Sequence, residues 1–174
     1  MYKRLYMREE FAQEINSWQY GEEYAIYSMN GSADALIEIL NGSYYALVDA
    51  ANSLVGHYCV GSSAQVPSVV QDEVYKADCI DFGLGMNPPL VGRGLGKHFL
   101  RFVLDCVELD HPGKRIRLTV ATFNKRAIKL YENAGFVEVN RFSKVTEDDA
   151  CEFIVMVQNN FSQKIKTPAF TEDP

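Results

Sequence analysis

Three glycines at alternate positions, Gly92, Gly94 and Gly96, form the part of the chain best suited to bind an anion. An apolar stretch that predicts a strand precedes them, and a run with the apolar spacing of an amphipathic helix follows. Glycine lets the backbone curl until several N–H groups point into one concavity, and the first N–H groups of a helix have no partner within it. The segment therefore predicts a phosphate site built from main-chain donors.

Two common phosphate-binding patterns do not fit this turn. A Walker A loop needs Ser or Thr after its lysine, but His98 follows Lys97. The dinucleotide fingerprint needs two residues between its second and third glycines, whereas Gly94 and Gly96 are separated by one.

A second pattern lies in residues 120–136. It consists of Asn124, Ala127, Leu130, Tyr131, Gly135 and Phe136. With the glycine turn, it resembles the GNAT N-acyltransferase superfamily, whose members carry Asn-x-x-Ala-x-x-Leu-Tyr-x-x-x-Gly-Phe after a Gln/Arg-x-x-Gly-x-Gly/Ala turn. The resemblance covers residues 79–136, with Val91 standing where the family has Gln or Arg. It implies an acyltransferase with acetyl-CoA as co-substrate and no metal.

The resemblance also implies which residues contact acetyl-CoA. Main-chain groups of the turn would hold the pyrophosphate, and Leu84 and Met86 would pair with the pantetheine arm like an added strand. Asn124, Ala127 and Tyr131 would border the same channel. The residues of the turn are Val91, Gly92, Arg93, Gly94, Leu95, Gly96 and Lys97. Asn124 also suits a helix N-cap, and both roles are compatible.

Acyl transfer from a thioester to an amine needs a proton donor for sulfur, an oxyanion site and a group that collects the proton of the amine. Tyr131 is expected to be the acid, as in the family, and backbone N–H groups near Met86 the oxyanion donors. Asp81 is the leading base, because strand alternation places it on one face with Gly83 and Gly85, whose missing side chains leave room for a ligand. A structural Asp81 is an equal alternative. His57 is a weaker proton relay.

The elements around these residues predict a mixed α/β fold with a mostly antiparallel sheet flanked by helices. Helical spacing appears in residues 5–18 and 33–40, and a hairpin follows. Further strands and helices alternate from residue 77 to residue 157. The predicted helices lie at 5–18, 33–40, 95–110 and 124–134, and the predicted strands at 44–49, 54–60, 77–86, 115–121, 136–141 and 151–157. We expect one domain over residues 1–160 and a loosely ordered tail over 161–174.

Composition excludes several classes of protein. The 174-residue chain carries a net charge of −6 without a basic block, which argues against nucleic acid and suits a cationic acceptor. Its four cysteines are widely separated, which predicts neither a metal site nor a disulfide framework. The charged N-terminus predicts no signal peptide and no membrane span. We therefore expect a cytoplasmic monomer or homodimer.

These observations predict acetyl transfer from acetyl-CoA to a primary amine of a small molecule, protein or peptide by direct attack in a ternary complex. An aromatic segment with Trp18, Tyr20, Tyr24 and Tyr27 could line the acceptor pocket or simply pack against the sheet. A non-catalytic acyl-CoA-binding module and an ATP-binding domain are alternative functions. Neither the acceptor nor the acyl-chain preference follows from the sequence.

Overall fold

The computed structural model describes residues 1–68, 70–145 and 150–158. These residues form a seven-stranded sheet in the order β1-β2-β3-β4-β5-β7-β6. The strands are β1 (Lys3–Tyr6), β2 (Tyr44–Val48), β3 (Leu54–Val60), β4 (Ile80–Met86), β5 (Ile116–Ala121), β6 (Val137–Val145) and β7 (Ala150–Gln158). The α-helices are α1 (Glu9–Asn16), α2 (Ala33–Ile39), α3 (Gln71–Val74), α4 (Gly96–Asp110) and α5 (Lys125–Asn133). Short 3₁₀ turns cover Glu22–Tyr27, Gly61–Ala64 and Pro88–Leu90.

The central strands β4 and β5 run parallel but stay paired for only two residues. Ile80 lies opposite Ile116 and Asp81 opposite Arg117, and no later pair is formed between these two described strands. From there to Met86, β4 pairs only with β3. The two strands therefore separate toward their C-terminal ends and leave a gap in the middle of the sheet.

Helices cover both faces of the sheet. The face against which α4 packs, called the α4 face, buries a large apolar cluster that includes Phe82, Phe99 and Tyr131. The opposite face, called the α1 face, buries a second cluster that includes Ile15 and Ile39 from the first two helices. Alternation along β4 sends even-numbered side chains to the α4 face and odd-numbered ones to the α1 face.

The predicted mixed, mostly antiparallel sheet with flanking helices is confirmed. The helix predicted over residues 5–18 is partly wrong, because Lys3–Tyr6 pairs with β2 and the helix begins only at Glu9. Pairing of this segment with β2, and burial of Arg4 against Asp110, override the local helical spacing. The tail predicted at 161–174 lies outside the described residues. Within them, no helix has the length and apolarity required to span a membrane.

Candidate active site

The glycine turn leads directly into α4. Gly92 and Gly94 adopt φ values of +82° and +78°, which side chains other than glycine strongly disfavour. The first backbone bond of the helix runs from Phe99 N to Leu95 O, so the N–H groups just before Phe99 have no helical acceptor. These groups and the positive end of the helix dipole form an anion-binding concavity.

Two N–H groups of the turn are used within it. Val91 N donates to Pro88 O at 3.1 Å, and Arg93 N donates to Leu90 O at 3.4 Å. These two N–H groups are therefore less available to a phosphate than the others of the turn. Within the turn, from Val91 to Lys97, the N–H groups with no backbone acceptor among the described residues are those of Gly92, Gly94, Leu95, Gly96 and Lys97.

The N-terminal end of α5 lies against this turn. A Cβ at Gly96 would lie 3.3 Å from Leu130 Cδ2, so the small residue lets the two helices approach closely. Arg126 reaches to within 3.9 Å of the position that a Cβ on Gly92 would take, and it also lies over the ring of Tyr24. Arg126 is thus a cation beside the concavity. Lys114, another cation considered from the sequence, pairs instead with Asp78 at 2.9 Å.

One edge of β4 faces the gap, where its main-chain groups have no partner strand. Asn87 N donates to Val55 O across the antiparallel pair, so odd-numbered residues of β4 bond to β3. The N–H and C=O groups of Leu84 and Met86 consequently point toward β5, which has already diverged. The Met86 carbonyl accepts a bond of 2.8 Å from the hydroxyl of Tyr20. The gap therefore offers an extended ligand the pairing that a neighbouring strand would provide.

Tyr131 lies on α5 in the core of the α4 face. Only 9% of the residue is exposed, and its hydroxyl has no hydrogen bond with another described residue. Burial, followed by the nearby phenol of Tyr27, raises the pKa of Tyr131 above its usual value. The phenol therefore keeps its proton at neutral pH.

Asn124 connects α5 to the N-terminal segment. Its Oδ1 accepts from Ala127 N at 3.1 Å, which confirms the predicted N-cap. Its Nδ2 lies 3.4 Å from the Tyr27 hydroxyl, which also accepts from Ala121 N at 3.2 Å. Tyr27 is thereby fixed at the C-terminal end of β5, where the gap is widest.

Asp81 does not have the environment of a general base. Its carboxylate accepts bonds of 2.6 and 2.8 Å from the Arg117 guanidinium, and Gln65 Nε2 donates to it at 2.8 Å. The two paired side chains are 3% and 5% exposed. Both carboxylate oxygens are therefore engaged in a buried ion pair at the point where β4 and β5 part. This geometry corrects the expectation that Asp81 collects the substrate proton and favours the structural alternative.

The space beside the two β4 glycines is also occupied. A Cβ at Gly83 would lie 3.3 Å from Cys59 Sγ, and one at Gly85 would lie 2.5 Å from Nε2 of His57. These glycines therefore accommodate neighbouring side chains, and the space expected for a ligand beside them is filled. The imidazole contacts the rings of Trp18 and Tyr44, with centroid distances of 5.8 and 5.9 Å.

Sequence reasoning missed how the segment after α1 spans the gap. Tyr20 bonds to the last residue of β4, and Tyr27 bonds to the last residue of β5. The many tyrosines of this segment indicated a functional surface. The segment contains only a short 3₁₀ turn, Glu22–Tyr27, so no helix or strand spacing in the sequence predicted where its side chains lie. Tyr20 and Tyr27 therefore lie over the C-terminal ends of the two diverging strands.

The two buried cysteine thiols, Cys59 and Cys106, are poorly suited to act as nucleophiles. Burial raises the pKa of both Cys59 and Cys106 to about 12, which leaves them protonated at neutral pH. In the described ranges, no group of three or more His, Cys, Asp or Glu residues has the arrangement of a metal site.

Comparison with known proteins identifies relatives of the chain. It is 29% identical over 111 residues to the N-alpha-acetyltransferase RimI of Mycobacterium tuberculosis, and the match covers 62% of this chain and 63% of that protein. A spermidine N-acetyltransferase chimera of Vibrio cholerae SpeG and hSSAT superposes with a TM-score of 0.65 at 18% identity, covering 91% of this chain and 95% of the other. Vibrio cholerae spermidine/spermine N-acetyltransferase SpeG with manganese ions gives a TM-score of 0.63 at 20% identity, covering 90% and 91%. These two structures show a shared fold.

A family model reaches from the first strand to the end of the α5 motif. The acetyltransferase (GNAT) family model matches residues 6–136, about three quarters of the chain, and includes both the glycine turn and Tyr131. The chain therefore belongs to the acetyltransferase (GNAT) family.

Proposed function

We propose that the protein transfers the acetyl group of acetyl-CoA to a primary amine by direct attack in a ternary complex. The observation that carries this proposal is the gap between β4 and β5. A glycine turn with free N–H groups follows the C-terminal end of β4, and the protonated phenol of Tyr131 lies near Tyr27, which bonds to the C-terminal end of β5. Family membership supports acetyl-CoA as the co-substrate.

The residues present fit that co-substrate. The free N–H groups from Gly92 to Lys97 would hold the pyrophosphate, and Arg126 would add a positive charge beside them. The main-chain groups of Leu84 and Met86 would pair with the amides of the pantetheine arm. Acetyl-CoA supplies an acetyl group activated as a thioester.

The chain supplies the polar groups that the reaction requires. The Met86 N–H faces the gap and would donate to the oxygen on which negative charge develops. Tyr131 would donate its hydroxyl proton to the departing sulfur, because its raised pKa keeps the phenol protonated until it is needed. The protonated states of Cys59 and Cys106 argue against a route through an acyl-cysteine.

The acceptor belongs to one of two classes of primary amine. The curated relative is named for acetylation of N-terminal amines, and the structural relatives are named for acetylation of spermidine and spermine. The net charge of −6 favours attraction of a cationic acceptor of either class. We infer that a polyamine and a basic peptide N-terminus are the first acceptors to test.

The role of Tyr131 is tested by the Tyr131→Phe variant, which keeps the ring and removes the proton. We expect kcat to fall by about 10²-fold or more while CoA binding, measured by calorimetry, stays within about twofold. An unchanged kcat would remove Tyr131 as the acid. Tyr2→Phe is a control that removes another tyrosine hydroxyl, on a ring packed against Phe99 and Phe102 of α4.

Two alternative functions give different results. A non-catalytic acyl-CoA-binding module would be stabilised by CoA in a thermal shift assay but would release no CoA thiol with any amine. An ATP-binding domain would be stabilised by ATP and unaffected by CoA.

A further inference from the structure

His57 reaches across the sheet to the strand that borders the gap. It belongs to β3, yet its imidazole lies over Gly85 of β4, where a Cβ would be 2.5 Å from Nε2. Gly85 stands between Leu84 and Met86, whose main-chain groups face the gap. The missing side chain at 85 is therefore what places Nε2 beside this part of β4, on the α1 face.

The imidazole is buried without the hydrogen bonds that usually accompany burial. His57 is 9% exposed, and its Nδ1 has no partner among the described residues. Most buried polar atoms are paired, so an unpaired one requires an explanation, and a catalytic role is one such explanation. Trp18 and Tyr44 contact the ring and fix its position. Burial lowers the pKa of His57 to about 4, which leaves the ring neutral at neutral pH.

Other groups near this position are already committed. Asp81 projects to the same face but is engaged by Arg117 and Gln65. The Cys59 thiol, also on this face, donates weakly to Ser63 O at 3.5 Å and is protonated. Neither of these two groups is free to accept a proton, whereas the Nε2 of His57 lies over β4 beside the gap.

Building on the acetyl transfer proposed above, we propose that His57 Nε2 accepts the proton that the acceptor amine gives up. As the amine nitrogen forms its bond to the acyl carbon, the bond from that carbon to sulfur breaks. The nitrogen proton passes to His57, and sulfur takes the proton of Tyr131. His57 then releases its extra proton to solvent, and Tyr131 takes up a proton from solvent, which restores both groups for the next turnover.

A weak base is sufficient for this step. A nitrogen whose lone pair is shared with an acyl carbon is far more acidic than a free ammonium ion, because the amide product has almost no basicity. His57 therefore has to receive a proton only after the new bond has begun to form. This assigns the acid and the base to opposite faces of the sheet, Tyr131 on the α4 face and His57 on the α1 face.

The first test compares variants at His57 with the wild-type enzyme, using an acceptor that the wild-type enzyme acetylates. His57→Phe keeps a ring against Trp18 and Tyr44 but has no nitrogen. We expect kcat to fall by about 10²-fold to 10⁴-fold, with CoA binding by calorimetry unchanged within about twofold. His111→Gln, at the far end of α4, is the matched histidine control and should keep the wild-type kcat.

The second test uses His57→Gly, which opens a cavity of imidazole size, and measures rescue by added imidazoles of different basicity. Rescue that rises with the basicity of the added ring supports proton transfer. Rescue that is equal for all of them indicates packing alone and overturns the proposal, as does a wild-type kcat in His57→Phe. If His57→Phe does not fold, His57→Gln serves in the first comparison.

The same measurements separate this proposal from the function on which it depends. A wild-type protein that acetylates no amine refutes the proposed function and the role of His57 together. A wild-type protein that acetylates an amine, combined with variants that are equally fast, refutes only the role of His57.

Discussion

Removing the carboxylate of Asp81 should lower the stability of the protein without removing a catalytic group. In Asp81→Leu, the buried Arg117 loses its charged partner but keeps bonds to the carbonyls of Ala77 and Tyr75 and its stacking on the Tyr75 ring. Breaking a buried ion pair lowers the free energy of unfolding by about 3–5 kcal/mol. Because Arg117 keeps its other contacts, we expect a loss of about 3 kcal/mol in this variant. For a chain of this size, that lowers the Tm by roughly 6–12 °C.

A double variant separates stability from catalysis. Asp81→Leu with Arg117→Met removes both charges and keeps apolar volume, so it should recover most of the lost Tm, because replacing a whole buried pair is often neutral or stabilising. The assay is thermal unfolding together with kcat, measured well below the Tm. The exposed Asp78 is the control, and Asp78→Asn should leave the Tm unchanged. A double variant that is as stable as the wild type but inactive would refute the structural role and restore Asp81 as the base.

Three further predictions follow from the site. Gly94→Ala should raise the KM for acetyl-CoA by tenfold or more. The control is Gly113→Ala, because Gly113 has a similar φ of +74° and equally open space, so the variant should lose similar stability and keep the wild-type KM. Equal KM values in the two variants would exclude the turn from binding acetyl-CoA. Gly85→Ala should displace His57 and lower kcat, and a wild-type kcat would contradict this contact. Because burial lowers the pKa of His57 from 6.5 to about 4, the unfolded chain takes up the proton first as pH falls. Between pH 6.5 and 4, the free energy of unfolding measured with urea should fall by up to about 3 kcal/mol more in the wild-type protein than in His57→Phe. The same pH dependence in both proteins would contradict burial of a neutral ring.

Local signals predicted the glycine turn and the start of α5. The glycine turn and the N-cap at Asn124 depend on backbone conformation and short-range hydrogen bonds, which sequence spacing describes directly. These features needed no knowledge of distant partners.

The α1 face could not be predicted to the same extent, because its side chains are defined by contacts between distant segments. Alternation gave the face of Asp81 but not its partner Arg117, 36 residues away on another strand. The environment of His57 depends on Gly85 of the next strand. The position of Tyr27 depends on a bond to Ala121, 94 residues away.

The most direct test of the account is release of CoA thiol when the protein is mixed with acetyl-CoA and a panel of polyamines and basic peptides. We expect thiol to appear in step with an acetylated amine, to require both substrates, and to leave no acetylated protein detectable by mass spectrometry when the amine is omitted. Binding of CoA without release of thiol with any amine would contradict the proposed acetyl transfer. Accumulation of an acetylated cysteine would contradict direct attack.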